Sequence, residues 1–309
     1  MTKRLIITGA LGHIGSYFIR QPWVTRYQEV ILIDNLSTQR YASLFNLPKE
    51  LNYTFLDQSI VNFNWAPFLK KDDTIIHLAA ITDAENSFDK KQLVEETNLT
   101  ALTQLADACH QANARLLFPS TTSVYGSQAS IVDENCQELA PQSPYAESKI
   151  HSENYLKQLS LKGLCCVILR FGTIHGASVG MRFHTAVNKF IWQARWGKPI
   201  SVWKTAYNQY RPYLSLTDAS LAADFIISKN LFQGDIFNVV TKNHTVQEIV
   251  ESIKKFIPDL NISFVDSVIM NQLSYHVSAE KIIKAGLQFK GNLNDDIKET
   301  IQLLGIRPV

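Results

Sequence analysis

Short apolar runs that end in polar residues or glycine, separated by longer amphipathic stretches, constrain this chain more than any other feature. The runs fall at residues 5–8, 30–34, 53–57, 74–79, 115–120 and 167–171. Parallel strands buried on both faces read as continuous Val/Ile/Leu segments, as in ILID ending at Asp34 and TIIHLAA around His77. Between the runs, residues 89–112 carry helix-spaced Leu93, Leu102, Leu105 and Ala106, and residues 145–162 carry Ile150, Tyr155 and Leu159. Both read as crossover helices, and the alternation predicts an α/β fold with a doubly wound parallel sheet. After about residue 176 the pattern changes. A segment rich in large side chains leads into a loop-like ISVWKTAYNQYRPY, which reads as a substrate-side cap. Residues 215–230 then resume a helical pattern, followed by a strand at 237–240 and a helix at 245–257.

The 309 residues, 46% hydrophobic and 19% charged, suffice for a large core and exclude disorder and coiled coil. Thirty basic residues against 28 acidic ones leave +2, which gives no bulk attraction to nucleic acid or anionic lipid. Any partner is expected to be bound by a shaped site. Cys109, Cys136, Cys165 and Cys166 are too scattered for a disulfide scaffold, and no CxxC pair suggests a metal site. With no apolar stretch of membrane-spanning length, a reducing cytoplasmic setting is expected.

The first run feeds directly into Gly9-Ala10-Leu11-Gly12-His13-Ile14-Gly15. In a GxxGxxG turn the glycines allow a tight bend, close approach of backbone N–H groups to a pyrophosphate, and tight packing of helix on strand. Glycine spacing alone also suits an ordinary strand-to-helix turn. Here it sits at the N-terminus, and Asp34 ends the next strand. A carboxylate at that place accepts from the adenosine ribose hydroxyls and repels a 2′-phosphate, so NAD is favoured over NADP, with Arg40 the residue that could reverse the preference. His13 has two readings, a phosphate ligand or an exposed loop histidine. His77 reads as a packed strand-end histidine before a chemical one.

Tyr145 and Lys149 lie at i and i+4, one turn apart on one helix face. A phenol is a weak base at neutral pH, and a neighbouring ammonium, together with a positive nicotinamide, favours its phenolate. Taken alone, the spacing also suits a solvated helix face. Upstream, Ser120-Thr121-Thr122-Ser123-Val124-Tyr125-Gly126 ends a strand, which places hydroxyls at the carboxyl edge of the sheet, where ligands of open α/β folds bind.

These motifs, in this order, resemble the extended short-chain dehydrogenase/reductases that act on nucleotide sugars, and most nearly the UDP-galactose 4-epimerase branch. The matching pieces are TGALGHIG, DNLS at Asp34, FLD ending at Asp57, HLAA, Asn98, STTSVYG, PYAESK, LRFGTIHG and RPYLSLTD around Arg211. The resemblance implies a Rossmann-type sheet with a smaller C-terminal α/β cap: residues 1–176, rejoined by 215–240, for the cofactor, and 177–214 with 241–309 for the substrate. It implies NAD as cofactor, held by Gly9, Gly12, His13, Ile14 and Gly15, by Asp34, Asn35, Leu36 and Ser37, and by Asp57 and Gln58. Leu78, Ala79, Ala80, Asn98, Ser120, Tyr145, Lys149 and Phe171 complete that set. Thr121, Tyr145 and Lys149 are implied as catalytic, with no metal. Thr82, Thr121, Thr173, Asn188, Trp203, Arg211 and His276 are implied to meet the substrate, a nucleotide-diphosphate sugar, and Arg211 offers its planar fork of donors to the diphosphate. A homodimer through two helices per subunit is expected.

The family reaction takes a proton from a sugar hydroxyl, usually at C4, through the tyrosine while hydride leaves that carbon for NAD. Three departures narrow the expectation. Thr122 and Ser123 stand where 4,6-dehydratases carry an acidic pair, which argues for epimerisation over dehydration. Thr173 replaces a substrate-touching asparagine, and His175 replaces a common tyrosine. No arginine lies between Arg211 and Arg307, so the second diphosphate contact falls to His276, to Lys204 or to nothing. A nucleotide-4-keto-sugar reductase using dissociable NAD(P)H is the nearest rival, and a non-catalytic NAD-sensing regulator is the rival of another class.

Overall fold

A computed structural model describes residues 3–82, 88–128, 131–266 and 275–305. Its central sheet has seven strands in the order Gln233–Val239, Cys165–Phe171, Arg115–Thr121, Thr74–His77, Arg4–Thr8, Glu29–Asp34 and Tyr53–Asp57. Every pairing in it is parallel. The Val/Ile/Leu runs are parallel strands because both faces are covered: Leu5, Ile6, Ile7, Leu116, Leu117, Val167 and Ile168 are fully buried. All carboxyl ends therefore fall on one edge of the sheet.

Helices Ala101–Ala112 and Pro144–Ser160 pack on one face with Leu102, Leu105, Leu156 and Leu159 inward. On the other face, Phe18, Trp23, Ala219, Ala222 and Ile226 close a second apolar cluster. Local chemistry sets the helix ends. Ser143 accepts from Ala146 N at 3.2 Å with Pro144 next to it, and Asn113 and Asn230 end their helices in the left-handed region.

The structure differs from the sequence reading in three places. The strand at His77 stops there, so Leu78 and Ala79 lie in the edge loop, tied back by Leu78 N to Thr8 O and Ala79 N to Thr8 Oγ1. The expected single helix at 89–112 is broken by a π turn, Glu96–Thr100, which turns Asn98 inward. The segment read as loop-like contains two strands. Ile200–Trp203 pairs with Ile262–Val265, and Tyr210–Ser215 lies between Thr173–His175 and Lys242–Thr245. Polar side chains masked these strands, because one face of each points into a cavity. A third apolar cluster, with Val187, Ile191, Val202, Tyr213, Ile249 and Ile297, supports that wall.

At the opposite edge of the sheet, Arg4 is buried against Asp73, with Nε to Oδ1 at 2.9 Å and Nη2 to Oδ2 at 2.5 Å, and its Nη2 also donates to Phe68 O at 2.9 Å. Removing one partner of a buried pair leaves an uncompensated charge. Asp73→Ala is therefore expected to lower stability by about 3–5 kcal/mol, read by chemical denaturation, and a loss below about 1 kcal/mol would show that Arg4 finds other compensation.

Candidate active site

The glycine turn forms a tight backbone cradle. Gly9 has φ +63°, and a Cβ there would lie 2.6 Å from Ala79 N; a Cβ on Gly15 would lie 2.5 Å from Ala10 O. These contacts press the turn onto the neighbouring strand ends, as a pyrophosphate-binding turn requires. Asp34 is tied to the same turn: its Oδ2 accepts from Leu11 N and its Oδ1 from Leu36 N, both at 3.0 Å. Each oxygen keeps lone-pair capacity for a ribose hydroxyl. Asn35 Oδ1 accepts from Ser37 N at 3.1 Å, and Asp57 and Gln58 are exposed at the next strand end, with Gln58 N bonded to Asp34 O. Ile14 is half-buried on the helix that leaves the turn. The residues present fit an adenine dinucleotide. Arg40 reaches the turn beside Gly12; burial first, then Arg182, lowers its pKa to about 10, while Asp34 opposes the drop.

His13 is not an exposed loop histidine. It is half-buried as the first residue of helix His13–Phe18, and its Nδ1 hydrogen-bonds Ser178 Oγ at 3.0 Å. Burial, then the charges of His184 and Arg40, lowers its pKa to about 3, so it stays neutral. His77 is packed as expected, joined to Thr8 Oγ1 at 2.9 Å and stacked on Phe118.

Thr121, Tyr145 and Lys149 come together at the carboxyl edge. Lys149 is buried, donates from Nζ to Pro119 O at 2.8 Å, and lies 4.3 Å from the Phe118 ring centroid and 6.0 Å from that of Tyr145. Burial pulls its pKa down to about 7, with Glu153 opposing. The Tyr145 phenol is pushed up to about 12 by burial, against the opposing effects of a Thr121 hydrogen bond and the Arg182 charge. Ser120, next to last in its strand, and Phe171, the end of the adjacent one, lie beside them, both nearly fully buried. Asn98 is 2% exposed and spends its amide on the Ile81 backbone, with Oδ1 accepting from N at 2.8 Å and Nδ2 donating to O at 2.9 Å. It braces the 78–82 loop, in which Leu78, Ala79 and Ala80 are half-buried.

Beyond the carboxyl edge lies a cavity of about 350 Å³, lined by Thr82, Thr173, Trp203 and Arg211 among the residues read from sequence. Arg211 lies 5.3 Å from the Tyr275 ring centroid, and its Nη2 donates to Gln209 Oε1 at 3.0 Å. Three expected substrate residues do not line this wall: Thr121, which ends its strand, Asn188 and His276. Asn188 is fully buried, with Nδ2 donating to Gly176 O at 3.4 Å, because it faces the core side of its helix between Val187 and Ile191. His276 lies in a short strand paired with Ile131 and packs against the Tyr210 ring. Lys204 forms an exposed ion pair with Asp266. Sequence reasoning missed Ser143, His184, Lys189 and Tyr275, which line the cavity, and Arg182, whose Nη2 donates to Thr82 Oγ1. For Arg182, His184 and Lys189 the signal was the clustering of large and basic side chains after residue 180; nothing local marked Ser143 or Tyr275.

A parallel sheet with a glycine turn at one strand end and a Tyr-Lys pair at another defines a nicotinamide-dinucleotide protein that works on a ligand at the sheet edge. Residues 5–239 match the NAD dependent epimerase/dehydratase family, and the chain belongs to it. Its cofactor is NAD. The chain is 28% identical over 246 residues to an uncharacterized UDP-glucose epimerase of Bacillus subtilis, covering 76% of each protein. It is 26% identical over 320 residues to the dTDP-D-glucose 4,6-dehydratase of Bos taurus, covering 97% of this chain and 88% of that one. The chain spans under half the length (46%) of a trifunctional UDP-glucose 4,6-dehydratase of Arabidopsis thaliana to which it is 28% identical. In fold it matches a UDP-glucuronic acid 4-epimerase from Bacillus cereus, with a TM-score of 0.87 at 23% identity over 97% of this chain and 99% of that one. Among the described residues no helix is long and apolar enough to cross a membrane.

Positive charge arriving beside a phenol favours its ionised form. Saturating the protein with NAD is expected to move the Tyr145 titration from about 12 toward neutral pH. Phenolate absorbance, referenced to Tyr145→Phe, measures it, and a titration that stays near its ligand-free position removes Tyr145 as the base.

Proposed function

We propose that this chain is an NAD-dependent nucleotide-sugar epimerase that inverts C4 through a 4-keto sugar. The carrying observation is the Thr121–Tyr145–Lys149 set at the sheet edge, with Thr122 and Ser123 following Thr121 in place of an acidic pair. Thr122 is buried and donates to Phe171 O at 3.3 Å, so only the Ser123 hydroxyl of those two positions faces the cavity. Neither side chain can exchange protons as a carboxylic acid would, which favours epimerisation over the dehydration carried out by some relatives.

Tyr145 takes the proton of the C4 hydroxyl and later returns it, Thr121 hydrogen-bonds the same hydroxyl, and Lys149 holds positive charge beside the phenolate. Bound NAD would supply the acceptor for the C4 hydride and the donor for its return to the other face. Between those events the keto sugar turns, so the cavity has to grip the nucleotide and leave the hexose loose. Arg211 supports the grip by presenting its guanidinium to the diphosphate. In this reading, residues 1–176 with 215–240 carry the cofactor, and residues 177–214 with 241–309 close over the sugar. A cytoplasmic setting and a homodimer through helices Ala101–Ala112 and Pro144–Ser160 belong to the same proposal.

Three measurements test it. Purified protein is expected to interconvert two nucleotide sugars with no cofactor added, and Tyr145→Phe to lower kcat about a hundred- to ten-thousand-fold. An unchanged rate in that variant overturns the mechanism, and a strict need for stoichiometric NADH or NADPH replaces the epimerase with a reductase. Sedimentation analysis is expected to give twice the chain mass, and a monomer at working concentration removes the dimer.

A further inference from the structure

Beneath the catalytic pair lies a buried charge network that the reaction as written does not use. Tyr145, Lys149 and Glu153 stand at successive turns along one face of helix Pro144–Ser160. Glu153 is 2% exposed and its carboxylate is fully engaged. Its Oε1 accepts from Ser120 Oγ at 2.5 Å and from Arg170 Nε at 3.0 Å, and its Oε2 accepts from Arg170 Nη2 at 2.7 Å. Arg170 is equally buried, lies 4.8 Å from the Tyr125 ring centroid, and is backed by Tyr125 Oη donating to Asn238 Oδ1 at 2.9 Å. Parallel register places Ser120 opposite Arg170, so the carboxylate of the overlying helix drops between the two strand ends.

This arrangement has two chemical consequences. A hydroxyl has one proton, and a carboxylate paired with a guanidinium can only accept, so the Ser120 proton points to Glu153. Ser120 Oγ then meets any ligand only as an acceptor. Glu153 also places a negative charge one turn below Lys149. The other groups facing that ammonium are Tyr145 on its own helix, His77 from strand Thr74–His77, and the Phe118 ring and Pro119 carbonyl from strand Arg115–Thr121. His77 is held neutral because burial, then Lys149, lowers its pKa to about 3. Burial disfavours the Lys149 ammonium, and Glu153 is the charge that favours it.

We propose that Glu153 is a positioning residue of this active site: locked by Arg170, it fixes the Ser120 hydroxyl as an acceptor and keeps the Lys149 ammonium charged beside Tyr145. The proposal rests on the epimerase reading only for the roles of Tyr145 and Lys149.

The test reads Tyr145 ionisation in place of turnover, by phenolate absorbance of NAD-loaded protein referenced to Tyr145→Phe. Glu153→Gln alone strands a buried guanidinium, whereas the double variant Glu153→Gln/Arg170→Met removes both charges, a change that buried sites tolerate far better. Without the carboxylate, Lys149 loses its proton at lower pH and the phenolate loses its cation. In the double variant the Tyr145 titration is expected to rise by about one unit. Arg170→Met alone leaves an unbalanced carboxylate and is expected to move the titration down. Thermal midpoints confirm that each variant is folded, and the single variant carries the test if the double one is not. A folded double variant with an unshifted Tyr145 overturns the proposal, and so does a shift of the same sign in both variants, as loosened packing would give. If unaltered protein shows no Tyr145 titration with NAD, the acid–base reading fails together with the proposal; a normal titration there with no shift in the variants sinks the proposal alone.

Discussion

The active site depends on the parallel register between Arg115–Thr121 and Cys165–Phe171. That pairing sets Ser120 against Arg170 and Thr121 against Phe171, and it ends both strands at the same height beneath helix Pro144–Ser160. A one-residue slip of Arg115–Thr121 would exchange the faces to which Ser120 and Thr121 point and take Ser120 away from Glu153. The register is secured by a dry interior on both faces of the sheet, because any other pairing would bury polar atoms without partners.

Several polar groups that enter this interior find partners, although His77 Nε2 and Trp65 Nε1 do not. Arg170 answers Glu153, the Pro119 carbonyl accepts a hydrogen bond from Lys149 Nζ, Thr8 meets His77, and Asn98 closes on the Ile81 backbone. Burial therefore acts on proton affinities without unfolding the site. It lowers the lysine and raises the tyrosine, which leaves both responsive to charge brought in by a cofactor. Arg182, which donates to Thr82, adds a further cation near the phenol.

Much of this could be read in the sequence because the signals are local. The apolar runs, the glycine turn and the Tyr-x-x-x-Lys spacing each depend on residues within about two helical turns, and the backbone periods convert them directly into faces and edges. The same logic failed where a contact crosses the chain. Nothing near Asn188 signals that its amide turns to Gly176, and nothing near Glu153 signals that Ser120 and Arg170 converge on it. The strands Ile200–Trp203 and Tyr210–Ser215 were hidden because a strand facing a cavity need not carry an apolar pattern on that side.

The sequence by itself determined the parallel α/β architecture, the turn that takes a dinucleotide, the carboxylate at Asp34 and the phenol–ammonium pair. Those choices are written in hydrophobic period and in glycine placement. Tertiary structure alone decided which polar side chains reach the cavity, which are consumed in holding it, and how far burial displaces Tyr145 and Lys149 from their ordinary proton affinities. Desolvation and long-range pairing depend on what lies across the fold, from Thr8 to His77 and from Ser120 to Glu153 and Arg170, and no local stretch of chain carries that information.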